Sequence, residues 1–154
     1  MMQSVLRAQE LLAERFQVAA DVWSAPSYQQ LRNEALSSDR WNRLHPEAEQ
    51  RRPYVVRALE GVEGPIVAAT DYMKGVPDLI HPWVRQRFIS LGTDGFGRSD
   101  TREALRRFFE VDAESIAAAA LYALSQDAKI PPADVAAAIR QLGLDPEKPD
   151  PLAS

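Results

Sequence analysis

The 154-residue sequence contains no cysteine, which excludes a disulfide framework, a thiolate metal site and a cysteine nucleophile. No apolar run is long enough to cross a bilayer, and the first residues, Met1 to Ser4, lack the basic flank and apolar core of a signal peptide. The net charge of -4 gives no general attraction to nucleic acid or to an anionic membrane surface. These absences fit a cytoplasmic protein that binds neither nucleic acid nor membrane.

Residues suited to metal or nucleophilic chemistry are also scarce. The two histidines, His45 and His81, each precede a proline and stand far apart in the sequence, which disfavours a shared zinc site. The sequence has neither a Walker loop nor a glycine-flanked serine elbow. The residues alone therefore give no recognisable active site.

The composition is that of one globular domain. Hydrophobic residues make up 45% of the chain and charged residues 26%, and the length is sufficient for a single core. The end of the chain contains Pro146, Pro149 and Pro151. We predict one domain over residues 1–145 and a flexible tail over residues 146–154.

Three short apolar runs predict strands, at Val18–Trp23, Pro65–Thr70 and Arg87–Leu91. The second is continuously apolar, as expected for a strand whose two faces are both covered by helices. Because strands alternate with helical segments, the predicted fold is α/β, with three helix/sheet/helix layers around a mostly parallel sheet.

Helix signals surround these runs. Apolar residues recur at helical spacing from Val5 to Phe16, and Ser27 is placed to cap a second helix. The polar segment 37–52 is predicted to be an exposed connection. Further signals are a helix from Pro53 to Gly61, an interruption at Pro77 of a helix beginning at Tyr72, caps at Asp100 and Asp112, and a last helix from Pro131–Pro132 to Gly143.

The most unusual segment follows the third predicted strand and leads into a helix, where open α/β sheets bind ligands. It consists of Thr93, Asp94, Gly95, Phe96, Gly97, Arg98, Ser99 and Asp100. The third glycine of a dinucleotide-binding loop is missing, and Asp100 as a helix cap would repel a phosphate. We therefore favour a tight turn with a structural or interface role over a phosphate site.

Two other groupings have alternative interpretations. Asp71 and Asp94 both end predicted strands, and they are either a carboxylate pair for acid–base chemistry or, as we prefer, turn formers. The arginines at 98, 102, 106 and 107 form a basic run that is either a solvated helix face or a surface for an acidic partner protein.

Four segments in order resemble the C-terminal domain of homodimeric pyruvate dehydrogenases (acetyl-transferring). They are Ala19–Ser24 (AADVWS), Gly64–Met73 (GPIVAATDYM), Leu91–Asp100 (LGTDGFGRSD) and Phe109–Glu114 (FEVDAE). The resemblance runs from about residue 2 to residue 144. The segment 77–86 is most similar to the actinobacterial branch. The implied fold is that of the transketolase C-terminal domain.

The resemblance implies an activity for the family but no catalytic residue for this chain. The family decarboxylates pyruvate oxidatively with thiamine diphosphate and Mg²⁺, and it passes the acetyl group to the lipoyl domain of an acetyltransferase component. Its cofactor motif begins Gly-Asp-Gly and ends in adjacent asparagines, whereas this chain has no Gly-Asp-Gly and only Asn33 and Asn42. We therefore expect no catalytic, cofactor-binding or metal-binding residue here.

The resulting hypothesis is a structural and assembly domain, a fragment of a longer dehydrogenase that is non-catalytic alone. Its implied partners are the remainder of the dehydrogenase and the dimer mate, with the acetyltransferase component as a further candidate. The alternative is an autonomous small α/β domain that binds a ligand, or that recruits an acidic partner protein.

The resemblance implies a strand before the first helix, and we expect this chain to lack it. Such a gap leaves unpaired amides and carbonyls beside it. We expect the isolated chain to be poorly stable or to complete its sheet by self-association.

Overall fold

The structure, a computed structural model, describes residues 1–153. Its elements in chain order are α1 (Met2–Phe16), α2 (Tyr28–Leu44), α3 (Tyr54–Ala58), β1 (Ile66–Ala69), α4 (Gly75–Asp78), a 3-10 turn (His81–Trp83), β2 (Phe88–Leu91), α5 (Arg102–Phe108), α6 (Ala113–Gln126) and α7 (Pro132–Gln141).

Strands β1 and β2 form a parallel pair, in register from Ile66 opposite Phe88 to Ala69 opposite Leu91. The predictions of strands at 65–70 and 87–91 and of an α/β fold with parallel strands are confirmed. The sheet within residues 1–153 has two strands. Side chains of Val67, Ala69 and Leu91 pack against the main core, so the sheet lies under the helices rather than apart from them.

The core forms where α1 packs on α6. Small residues at the contact, Ala8 on α1 and Ala117 on α6, let the helices approach closely, while Leu11 and Leu121 fill the space between them. Burying each such leucine contributes about 1.5–3 kcal/mol. Helix α7 adds buried side chains from its inner face, Val135, Ala138 and the following Leu142.

The predicted strand at Val18–Trp23 is wrong: the segment has no strand structure. Side chains at 18, 20 and 22 are nevertheless partly buried, while those at 19, 21 and 23 are exposed, which is the alternation of a half-buried strand. The carbonyl of Ala20 accepts a hydrogen bond from the Gln9 side chain at 2.5 Å. The apolar pattern is present, but no neighbouring strand within residues 1–153 pairs with it.

The predicted connection over residues 37–52 is wrong in its first half, because α2 continues to Leu44. Ser38 is buried, and the indole nitrogen of Trp83 donates to the Asp39 carboxylate at 2.8 Å. The helix ends before Pro46, whose ring disfavours helical geometry at the preceding residue. This polar stretch is therefore helical because one face of the helix packs against the rest of the domain.

Pro77 does not interrupt a helix, as the sequence predicted, but lies inside the single turn α4. A turn this short needs no amide from Pro77, because the first residues of a helix have no intrahelical acceptor. The helix start predicted at Tyr72 is likewise displaced to Gly75.

Other helix ends are confirmed. The Ser27 hydroxyl accepts from the Gln30 amide at 3.2 Å, and the Asp112 carboxylate accepts from the Ser115 amide at 2.9 Å. Gly143 has φ 65° and ends α7 in a left-handed turn. Such local signals depend on a few adjacent residues.

Candidate functional site

The loops that follow β1 and β2 are joined at the carboxyl ends of the strands. The amide of Thr93 donates to the Tyr72 carbonyl at 2.9 Å, and its hydroxyl donates to the Asp71 carbonyl at 3.0 Å. A Cβ at Gly92 would lie 2.5 Å from the Tyr72 carbonyl oxygen, so the crossing requires glycine there. Thr93 therefore links the two loops through its backbone and its side chain.

Asp71 and Asp94 face different partners. The Asp94 carboxylate accepts from the Lys74 amide at 3.1 Å, which fixes the loop after β1. The Asp71 carboxylate lies 3.1 Å from the amino group of Met1 and 3.8 Å from Nε of Arg106. Asp94 thus makes a contact typical of a turn former, whereas Asp71 contacts two cations, and the choice between the two interpretations of this pair stays a prediction.

A cleft of about 700 Å³ opens beside this loop crossing, between the segment 93–100 and helix α5. Its lining combines charged and apolar side chains: Met1, Asp71, Thr93, Gly95, Phe96, Gly97, Arg98, Asp100, Arg102, Leu105, Arg106, Phe109 and Val111. The structure thus brings most of the sequence-predicted segment together with the first arginines of α5. We call this space the loop cleft.

Arginine side chains dominate the polar chemistry of the loop cleft. The Arg106 side chain is only 18% exposed, and its buried Nε has no hydrogen-bond partner among residues 1–153. Arg102 is exposed and forms no ion pair with the described part of the chain. Such guanidinium groups suit a carboxylate or a carbonyl oxygen supplied from outside.

The glycines of the segment differ in their roles. Gly95 has φ 104°, and a Cβ there would lie 2.5 Å from the Pro151 carbonyl oxygen, so both backbone and space require glycine. A Cβ at Gly97 would meet nothing within 4 Å. Phe96, between them, is 82% exposed at the mouth of the loop cleft.

The cap of α5 differs from the prediction. Thr101 is the N-cap, and its hydroxyl accepts from the Ala104 amide at 3.2 Å, while the Asp100 carboxylate accepts from the Thr101 amide at 2.7 Å. The predicted cap at Asp100 is therefore wrong by one residue. Aspartate and threonine are both favoured at N-caps, so two adjacent candidates were available in the sequence. Ser99 is exposed just before this cap.

The basic run divides into residues with different partners. The Arg98 guanidinium stacks on the Phe108 ring at 3.9 Å, a cation–π contact. Arg107 donates to the Asp112 carboxylate at 2.8 Å and also to the Gly143 carbonyl. Arg107 thereby joins α5 to the start of α6 and the end of α7, whereas Arg102 and Arg106 remain in the loop cleft.

Sequence reasoning missed a second cleft of about 540 Å³ between α2 and α3, within the segment predicted to be an exposed connection. Arg51 stacks over the Trp41 ring at 4.1 Å, and His45 stacks on the same indole at 4.6 Å. Of these three residues only Arg51 lines the cleft, so the sequence carried no signal specific to it. Its lining residues are Glu34, Ser37, Ser38, Glu49, Gln50, Arg51, Arg52 and Arg57.

Three groups with displaced pKa values lie away from the loop cleft. The hydrogen bond from Arg52, with its charge, lowers the pKa of Glu60, and the hydrogen bond to Glu10 raises that of Arg7. Burial raises the pKa of Tyr28. The first two are exposed ion pairs, and neither side chain lies near a residue of the predicted segment.

The asparagines do not fit the thiamine–metal motif. Asn33 accepts from the Gln29 side chain at 2.8 Å, and Asn42 forms two hydrogen bonds with the Arg51 backbone. Across residues 1–153, no group of three or more histidine, aspartate or glutamate side chains is arranged to hold a metal ion. Nor does the described chain contain a helix with the length and apolarity to span a membrane.

Comparison with known proteins gives a consistent result. The model of the transketolase-like TK C-terminal domain family matches residues 1–112. The chain is 48% identical over 152 residues to the pyruvate dehydrogenase E1 component of Pseudomonas aeruginosa, covering 98% of this chain and 17% of the relative. The corresponding protein of Mycobacterium tuberculosis is 46% identical over 144 residues, covering 94% of this chain and 16% of the relative.

The resemblance predicted from four segments is therefore confirmed. The chain spans only about one-sixth of the length of these curated relatives, at 16–17%. Identity to the Pseudomonas and Mycobacterium proteins is similar, so the likeness of residues 77–86 to one bacterial branch stays a prediction.

Proposed function

Because this chain belongs to the family of transketolase-like C-terminal domains, we propose that it is the structural and assembly domain of a pyruvate dehydrogenase. One observation carries the proposal: nearly the whole chain, 94–98%, aligns with only 16–17% of pyruvate dehydrogenase E1 components. A domain of this kind supports the rest of the enzyme without catalysing the reaction itself. We also propose that the domain contacts the dimer mate of the enzyme and that the enzyme is cytoplasmic.

In this proposal, the complete enzyme decarboxylates pyruvate oxidatively and transfers acetyl to lipoyl groups. Thiamine diphosphate and Mg²⁺ are held by its other domains. Asn33 and Asn42 support that assignment, because they are not adjacent in the sequence as in the family's cofactor motif, and each makes local hydrogen bonds instead. This chain contributes shape and contacts rather than reacting groups.

The sheet supports an assembly role because one side of β1 has backbone groups that no other strand of residues 1–153 pairs with. In a parallel pair every second residue bonds to the neighbouring strand. Ile66 and Thr70 donate to β2, so the amides of Val67 and Ala69 point to the other side. The segment 18–22 has the burial alternation of a strand without a ladder partner. We propose that a strand from the remainder of the dehydrogenase pairs there.

The test is a chimera of the Pseudomonas aeruginosa relative in which the region matching this chain is replaced by this chain. The comparison proteins are the parent enzyme and the parent with that region deleted. We expect the deletion to lose dimer assembly and pyruvate-dependent activity, and the chimera to recover both to within about tenfold of the parent activity (about 1.4 kcal/mol). A chimera as inactive as the deletion, or a deletion as active as the parent, would overturn the proposal.

A further inference from the structure

Large apolar side chains are exposed around the loop cleft. Tyr72 and Met73, after β1, are 72% and 60% exposed, and Phe96, after β2, is 82% exposed. The hydrogen bond between Thr93 and Tyr72 holds the two loops together, so these exposed side chains belong to one end of the sheet, and Phe96 among them lines the loop cleft. Aromatic and methionine side chains are enriched in protein interfaces, and their grouping at one edge marks a surface made to be covered.

Two arginines of the loop cleft have hydrogen-bonding capacity that the described residues do not use. Arg106 is mostly buried, yet its Nε has no hydrogen-bond acceptor within residues 1–153, and the nearest carboxylate oxygen, on Asp71, lies 3.8 Å away. Arg102, one turn earlier on α5, has no ion-pair partner in the described structure. Arg102 is accessible to a carboxylate from another segment, and Arg106 adds positive charge beside it while it keeps its contact with Asp71.

We propose that Tyr72, Met73, Phe96, Arg102 and Arg106 form a docking surface for a carboxylate-bearing, partly apolar segment of the remaining dehydrogenase polypeptide. The inference rests on the proposed function and names the surface through which that function operates. Its chemistry matches the cleft: its apolar side chains contact Tyr72, Met73 and Phe96, and its carboxylate accepts hydrogen bonds from Arg102 near the positive charge of Arg106.

Two observations favour this occupant. The relatives are about six times as long as this chain, since it covers 16–17% of them, so most of the polypeptide able to cover the surface belongs to the same protein. A tethered segment binds at a high effective concentration. Charge disfavours a phosphate ligand, because Asp71 and Asp100 line the same cleft and would repel a doubly charged anion more than a single carboxylate.

Photo-crosslinking in the full-length chimera tests the docking surface. A benzoylphenylalanine replaces Phe96 in one version and Tyr54, an exposed aromatic residue of α3, in a matched control. We expect position 96 to crosslink to sequence outside this chain, at a yield several times that of position 54. Equal yields, or crosslinks from position 96 only to an acetyltransferase component or to a second copy of this chain, would overturn the proposal.

Charge reversal gives a second readout. Arg102→Glu should lower the melting temperature of the chimera by several degrees and lose this effect at high salt. In the isolated chain it should leave the melting temperature unchanged or raise it slightly, because an acidic side chain is favourable in the first turn of α5. Arg140→Glu, at an exposed residue in the last turn of α7, should change the melting temperatures of both proteins by the same small amount. The inference fails if Arg102→Glu leaves the chimera unchanged.

Inorganic phosphate provides the test for a small ligand. Added phosphate could raise the melting temperature of the isolated chain in a saturable way, with the rise lost in Arg102→Glu. That result would overturn the docking proposal and indicate an anion-binding site instead. The two proposals fail separately. If a chimera whose loop cleft is unaltered does not assemble, the assembly role is contradicted. If the chimera assembles but position 96 gives no crosslinks, only the docking surface is contradicted.

Discussion

Gly95 packs directly against Pro151: a Cβ on the glycine would lie 2.5 Å from the proline carbonyl oxygen. Nearby, the Lys148 ammonium donates to the Phe108 carbonyl at 2.6 Å and lies 3.0 Å from the Glu110 carboxylate. Segment 145–153 therefore lies against the segment 93–100 and the end of α5. The flexible tail over 146–154 stays a prediction, and these contacts supply a way to test it.

Gly95→Ala should destabilise the chain by about 1–3 kcal/mol. The φ of 104° is strained for alanine, and the new methyl group would displace Pro151. Gly97→Ala is the matched control, because its Cβ has open space, and it should change stability by less than about 0.5 kcal/mol. Urea denaturation of both variants measures the difference. Deleting residues 146–154 should relieve part of the Gly95→Ala effect. No relief would indicate that the tail does not hold the loop.

Arg107 and Asp112 should be energetically coupled. Their hydrogen bond at 2.8 Å joins α5 to the N-cap of α6, and the same guanidinium donates to the Gly143 carbonyl after α7. We expect a double-mutant cycle with Arg107→Met and Asp112→Asn to give a coupling energy of about 1 kcal/mol. Arg140→Met, at an exposed arginine of α7, should couple to Asp112→Asn by less than about 0.3 kcal/mol. Additive effects for Arg107 and Asp112 would contradict the bridging role.

The sequence was most informative where structure depends on adjacent residues. The caps at Ser27 and Asp112 and the left-handed turn at Gly143 need only a few neighbouring residues, and all were predicted correctly. The apolar alternation at 18–22 was also recognised. It could not become a strand, however, because a strand requires a partner supplied from elsewhere in the fold.

Contacts between residues far apart in the sequence could not be predicted from local sequence patterns. One face of α2 is packed because Trp83, 44 residues away in the sequence, donates a hydrogen bond to Asp39. This contact is not visible in the local sequence, so part of the helix was predicted to be an exposed connection. Similarly, nothing in the basic run distinguished Arg107 from Arg106. Their different roles follow from where α6, α7 and the loop after β1 lie around α5. The loop cleft is therefore a product of tertiary structure.

The stability of the chain should fall at alkaline pH through Tyr28. Burial raises its pKa above the ordinary tyrosine value of about 10, because the charged phenolate is disfavoured in the folded state. As pH rises above the unfolded value, the unfolded chain loses this proton first, so the free energy of unfolding decreases until the folded pKa is passed. Tyr28→Phe should remove this contribution. The measurement is a titration of tyrosinate absorbance in the wild type and in Tyr28→Phe, and the difference between the two curves reports Tyr28. A midpoint of this difference at or below about 10 would contradict the prediction.

Hydrogen exchange of the same residues in two settings tests the assembly account most directly. In the isolated chain, the Ile66 and Thr70 amides bond to β2, whereas the Val67 and Ala69 amides point away from it. We expect residues 66 and 70 to be protected, and residues 67 and 69 and the segment 19–22 to exchange rapidly. In the dehydrogenase chimera, Val67, Ala69 and alternate amides of 19–22 should become protected, because an added strand pairs with them. Equal exchange in the isolated chain and the chimera would contradict the claim that the rest of the enzyme completes this domain.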